Sequence, residues 1–258
     1  MPGLCLFENP FSPFARKVRM VLEHKGLAFE SIDGLHEANR AALEAVNPRR
    51  EVPVLVDGHL VIANSAHIVA YLEDACPGPA VLPGDAAARA RIRHWERVAD
   101  TVLDPIVVDV SLWSWAHRKD APPAGLREAA VRDLDSVYAL LEAELLDGRE
   151  FPCRVFSLAD IALFPHLHAA RAMKLGPDPA CFPLTLAWLR RLAHLPLLHA
   201  DLERLRAWLK ALEGNAGFER DRIFWRGDRI EWLLANGFHR WFFREIEKGR
   251  VLWPRTGA

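Results

Sequence analysis

The stretch Cys76-Pro77-Gly78-Pro79, renewed at Pro83-Gly84, constrains this chain most: neither helix nor strand runs through such punctuation, and the patterns on its two sides differ. Upstream, Leu4 to Phe7 reads as a short strand. The residues Phe14, Val18, Val21 and Leu22 then recur at helical spacing up to a basic last turn and Gly26. A second extended run, Leu27 to Ile32, precedes helical spacing over His36 to Val46. Val52 to Val56 and Leu60 to Ile62, joined through Asp57-Gly58, predict a hairpin, and Ile68, Tyr71 and Leu72 mark a helix from Asn64 to Ala75. The order βαβαββα within about 80 residues implies an α/β unit with a mixed sheet.

Downstream, every periodic segment is helical. Ala86 to Trp115, Ala124 to Leu146, Leu158 to Met173, Leu184 to Leu195 and Pro196 to Leu212 follow one another with proline or glycine between them. The expected architecture is therefore α+β with two domains: residues 1–76, a linker at 77–85, an all-α bundle at 86–214, and a helical, aromatic-rich extension at 215–258. Ser157 and Asp160 in F-S-L-A-D-I have capping-box spacing, with Phe156 and Ile161 placed as a hydrophobic staple. That motif starts a helix and does no chemistry. In the extension, Ile230, Leu233, Leu234, Phe238, Trp241, Phe242 and Ile246 form an apolar stripe, which suits either a strap on the bundle or a lid over a pocket.

With a formal net charge of −1, the chain offers no global field for nucleic acid. No run approaches the roughly 18 apolar residues of a membrane span. Cys5, Cys76, Cys153 and Cys181 form no metal-type cluster, and free thiols in a reducing cytoplasm are expected.

The candidate chemistry lies in F-E-N-P-F-S-P-F-A-R-K, where Ser12 precedes Pro13 at the mouth of the first helix. Ser before Pro is good capping chemistry in its own right. A helix N-terminus also offers unpaired N–H groups and a positive dipole end to an anion, and a thiolate is such an anion.

S-P-F-A-R-K-V-R-M-V-L-E-H-K-G resembles the first-helix motif of the tau and omega classes of cytosolic glutathione transferases. N-P-R-R-E-V-P-V-L at 47–55, N-S-A-H-I-V-A-Y-L-E at 64–73 and F-S-L-A-D-I resemble further motifs of that family, in the same order, across residues 1 to about 212. The resemblance implies a thioredoxin-like N-terminal domain followed by a helical domain. It also implies glutathione as co-substrate, no metal, a small hydrophobic electrophile, a cytoplasmic homodimer, and neither nucleic acid nor membrane as partner. By the same resemblance, Ser12 stabilises the glutathione thiolate. Val52, before a cis Pro53, pairs with the cysteinyl backbone; Asn64 and Ser65 receive the γ-glutamyl end; Arg50 faces the glycyl carboxylate, with His36 or Arg40 as helpers. Phe11, Phe14, Trp95, Trp113 and Trp115 are expected to line the electrophile pocket, although Trp113 and Trp115, two apart, cannot face the same side of one helix. Two positions depart from the family pattern. Asn64 stands where most members have Glu or Asp, and Glu51 where many have a basic residue. These departures keep open a non-catalytic binding protein on the same fold, and a glutathione-dependent dehalogenase or peroxidase shares the same site.

Overall fold

The structure is a computed structural model and describes residues 3–114 and 122–212. Strands β1 (Leu4–Glu8), β2 (Phe29–Asp33), β3 (Val54–Asp57) and β4 (Leu60–Ala63) form a sheet in the order β2-β1-β3-β4. β1 runs parallel to β2 and antiparallel to β3, and β3 runs antiparallel to β4. Helices α1 (Pro13–His24), α2 (Arg40–Val46) and α3 (Ser65–Ala75) complete the βαβαββα unit. Alternation across the pleat decides which face each helix covers. The cross-strand pair Leu6 and Leu55 joins the main core with Val18 and Val21 of α1 and Ile68 and Leu72 of α3, whereas Phe7 and Val54 pack with Leu43 of α2 on the other face.

The hairpin turn sits one residue later than expected, at Gly58-His59 between the paired Asp57 and Leu60, and Gly58 supplies its positive φ of 59°. The predicted helix over His36 to Val46 begins as a short 3₁₀ turn at Glu37–Asn39 before α2.

The segment joining sheet and bundle is tightly held. Glu73 accepts hydrogen bonds from Val81 N, Leu82 N and Lys25 Nζ, and Leu158 N donates to the Val81 carbonyl. Gly78 has φ 109°, and a Cβ there would stand 2.4 Å from the Lys25 carbonyl oxygen, so only glycine fits.

The expected single helix over Ala86 to Trp115 is two helices, α4 (Ala86–Val98) and α5 (Asp104–Ser114), separated by a π turn at Ala99–Leu103. Pro105 accounts for the break. It has no N–H to donate to the Thr101 carbonyl, and its ring would crowd that carbonyl in a regular helix. Helices α6 (Leu126–Glu144), α7 (Leu158–Ala172), α8 (Pro183–His194) and α9 (Pro196–Leu212) follow. α7 is the axis of the bundle, buried along most of its length and packed on α1, α4 and α8. Its N-terminus carries the expected capping box: Ser157 N donates to Asp160 Oδ2 at 3.0 Å.

The least expected feature is α1, which is buried on its charged face as well as its apolar one. Arg16 pairs with Asp201 of α9, Lys17 with Glu96 of α4 and Asp100 of the π turn, and Arg19 with Glu8 of β1. A carboxylate meets each cation in the interior, and this pairing offsets part of the cost of burying the charge. His168 lies in the same region, and burial, followed by the nearby Arg16, Arg171 and Arg206, pushes its imidazole down to about 4. An imidazole depressed below its unfolded value costs stability when the unfolded chain takes a proton that the folded one refuses. Stability should therefore fall as pH drops from about 6.5 towards 4. The substitution His168→Gln should flatten part of that decline in denaturant titrations run across the same range.

The four thiols are free. Burial pushes Cys153 up to about 12 and raises Cys5 and Cys76, while Cys181 is solvent-exposed. Thiol labelling at neutral pH should modify Cys181 first and leave Cys153 untouched until the protein unfolds, as peptide mapping would show.

Candidate functional site

Strand register assembles the site. Phe7 pairs with Val54, and Val54 pairs with Ala63, so the end of β1, the start of β3 and the end of β4 lie side by side. The loops that leave or enter at this end carry Ser12, Val52-Pro53 and Asn64-Ser65. Three segments far apart in sequence thus converge at one end of the sheet.

Ser12 caps α1. Its backbone is extended (φ −72°, ψ 117°), Pro13 follows at the first helical position, and Oγ accepts from Ala15 N at 3.3 Å. That bond engages an acceptor lone pair and leaves the hydroxyl's proton for an anion. The residue is only 8% exposed, so an anion held there is partly shielded from water. Asn9 fixes the preceding turn: its Oδ1 accepts from Phe11 N at 2.9 Å, and its Nδ2 donates to Asp33 Oδ1 at 2.9 Å.

The Val52–Pro53 peptide bond is cis. The turn before it is tied by Asn47, whose Nδ2 donates to the Glu51 carbonyl at 3.0 Å and whose Oδ1 accepts from Arg49 N. Arg50, with φ 54°, pairs with Glu44, and Arg49 pairs with Glu51. The two cations beside the departure at Glu51 are thus each matched to a carboxylate of their own segment.

Asn64 caps α3. It has φ 78°, unusual for a residue with a side chain, and its Oδ1 accepts from Ala66 N at 3.0 Å. That bond takes one of the two lone pairs of the amide oxygen. Ser65, 4% exposed, is the first residue of the helix.

Phe11 stacks on Trp208 of α9, ring centroids 6.1 Å apart, and the Trp208 indole N–H donates to Asp33 Oδ2 at 3.3 Å. Phe14 presents an edge-on contact to His166, whose Nε2 lies 3.3 Å from Asp104 Oδ1. Trp95 does not line the site. It is 3% exposed in the main core, because α4 turns this face towards α7. The side chain of Trp113 and all of Trp115 lie outside the described residues, as does the extension at 215–258 with its strap-or-lid alternatives.

Sequence reasoning missed Asp33, Trp208 and the roles of Arg16 and Asp201. Nothing local in the sequence couples Asp33 to a residue 175 positions later. Among the described residues, no helix is long and apolar enough to cross a membrane and no cluster of potential metal ligands is found.

Residues 6–80 match the family model for the glutathione S-transferase N-terminal domain. A Zea mays protein named "Probable glutathione S-transferase BZ2" is 32% identical, over 80% of this chain and 94% of its own length. A maleylpyruvate isomerase of Ralstonia sp is 28% identical over 67% of this chain and 84% of its own. Among solved structures, a glutathione S-transferase from Rhodospirillum rubrum superposes with a TM-score of 0.65 at 27% identity, covering 77% of this chain and 91% of that one. A thioredoxin-like domain with a mixed four-stranded sheet, the helical domain behind it, and these relatives together place the chain in the cytosolic glutathione S-transferase family.

Proposed function

We propose that this chain is a glutathione transferase that holds the glutathione sulfur as a thiolate beside Ser12 for attack on a hydrophobic electrophile. The observation that carries this reading is the convergence of Ser12, Val52-Pro53 and Asn64-Ser65 at one end of the sheet. Glutathione needs three kinds of contact, and each has a counterpart there. The backbone of Val52 pairs with the cysteinyl unit as an added strand would. Ser65 at the start of α3, helped by the Asn64 amide, receives the γ-glutamyl carboxylate. Arg50 faces the glycyl carboxylate, exchanging part of its interaction with Glu44 for the ligand.

Energetics decide whether Ser12 suffices. A free thiol titrates near 8.5, and lowering this by about two units takes roughly 2.7 kcal/mol. A hydroxyl hydrogen bond to an anion contributes about 1.5 to 3 kcal/mol and the helix N-terminus about 0.3 to 1. The two together meet the requirement without a second acid. Phe11 and Phe14 flank Ser12 in sequence and supply apolar surface for the electrophile. A two-fold homodimer is part of the proposal.

Isothermal calorimetry against glutathione at millimolar concentration tests the binding half directly. Uptake of about one tripeptide per chain is expected; no heat of binding would leave the family fold without this function.

A further inference from the structure

The turn that delivers Ser12 to the mouth of α1 is bound more closely than a helix cap requires. Ser12 Oγ is tied to α1 only by the long 3.3 Å bond it accepts from Ala15 N, so the backbone entering the helix decides where the hydroxyl stands. Asn9 fixes that backbone. Its carbonyl accepts from Ser12 N at 3.0 Å, its Oδ1 accepts from Phe11 N at 2.9 Å, and its Nδ2 donates across to Asp33 Oδ1 at 2.9 Å. The side chain thus mimics a backbone turn at one end and is anchored on β2 at the other. With Asn9 only 2% exposed, these bonds are largely shielded from water. Asp33 is held in turn: Leu35 N donates to Oδ1 at 3.1 Å, the Trp208 indole N–H to Oδ2 at 3.3 Å, and Asn39 Nδ2 to the carbonyl at 2.9 Å. Donors from the loop after β2 and from α9 therefore aim one carboxylate at the amide that sets the serine turn.

We propose that Asn9, held by Asp33, is a positioning residue that places the Ser12 hydroxyl against the bound sulfur; this rests on the glutathione reading above. A hydrogen bond weakens steeply as donor and acceptor fall out of line, so the bond from Ser12 to the thiolate depends on where the turn puts Oγ. Asn9 acts on the sulfur only through Ser12. Its amide is used in both senses, as acceptor towards Phe11 N and as donor towards Asp33. Aspartate at this position would keep the acceptor but set carboxylate against carboxylate, and alanine would lose both bonds.

Ultraviolet difference absorbance of bound glutathione reads that placement, and calorimetry at two pH values separates it from a loss of structure. In Asn9→Ala the thiolate midpoint should rise by about one unit, a preference for the anion about tenfold weaker. Affinity for glutathione should accordingly fall about tenfold at about pH 9, where the bound sulfur is ionised, and stay within about twofold at about pH 5, where it is not. Asn9→Asp should raise the midpoint as far. Adding Asp33→Asn, whose amide can donate back, should return it to within about half a unit of the unaltered protein. Asp160→Asn, which weakens the fold at the start of α7, should leave the midpoint in place. Should Asn9→Ala fail to fold by circular dichroism, Asn9→Asp with and without Asp33→Asn carries the same test. An unmoved midpoint in the Asn9 variants, equal weakening at both pH values, an equal shift in Asp160→Asn, or no rescue by Asp33→Asn overturns the positioning role. A sulfur that titrates like free glutathione in the unaltered protein overturns instead the glutathione reading beneath it.

Discussion

Replacing Ser12 by Ala should lower kcat/KM for an aryl halide at pH 6.5 by about 10- to 100-fold, with the deficit shrinking as pH approaches 9. The size follows from the hydrogen bond lost, about 1.5 to 3 kcal/mol when one partner is charged. The pH dependence follows from its sign. In the proposed function Ser12 stabilises the thiolate and not the thiol, so its loss should move the titration of the bound sulfur upward, and activity at low pH should suffer most. The fold should survive, because the cap loses one weak bond at 3.3 Å and Pro13 remains at the first helical position. A pH–rate profile of Ser12→Ala that tracks the unaltered protein would remove the hydroxyl from the mechanism.

The second large effect is on folding. Asp160, wholly buried at the start of α7, accepts from Ser157 N at 3.0 Å and from the Trp188 indole at 2.9 Å. Burial pushes its carboxyl up to about 7, while these donors pull the other way. All the bonds require an acceptor, and every neighbour named is a donor. Asp160→Ala would strand two donors in the interior and open a small cavity, costing about 3 to 5 kcal/mol. Asp160→Asn keeps one acceptor oxygen but turns an amide N–H₂ towards a donor, and should cost about 2 to 3 kcal/mol. Chemical denaturation of both variants measures this; losses below 1 kcal/mol for Asp160→Ala would show that the helix start is held by other contacts. Because its folded-state titration is raised, Asp160 by itself contributes less stability as pH rises from about 4 to about 7, opposite in sign to His168.

The α/β unit was legible because its signals are local. The apolar run Leu4 to Phe7, the Asp57-Gly58 pair and the basic turn before Gly26 each act within a few residues, and the structure shifts their boundaries by one or two. The capping box at Ser157 and Asp160 was legible for the same reason. The break in Ala86 to Trp115 was not, because apolar periodicity passes smoothly through Pro105 and hides the missing N–H. The burial of the charged face of α1 was not legible either: Arg16, Lys17 and Arg19 carry no sign in sequence that Asp201, Glu96 and Glu8 will meet them. The same limit applies to the site. Ser12, Val52-Pro53 and Asn64-Ser65 could be singled out by local motifs, whereas Trp208 reaches Phe11 and Asp33 only through the packing of α9 on α1.

Ultraviolet difference absorbance of glutathione bound to the protein, titrated from pH 5 to 9, reads the state of the sulfur itself. The account predicts a thiolate signal with a midpoint of about 6.5, roughly two units below the free tripeptide, moving back towards 8.5 in Ser12→Ala. A bound sulfur that titrates like free glutathione in the unaltered protein would contradict it.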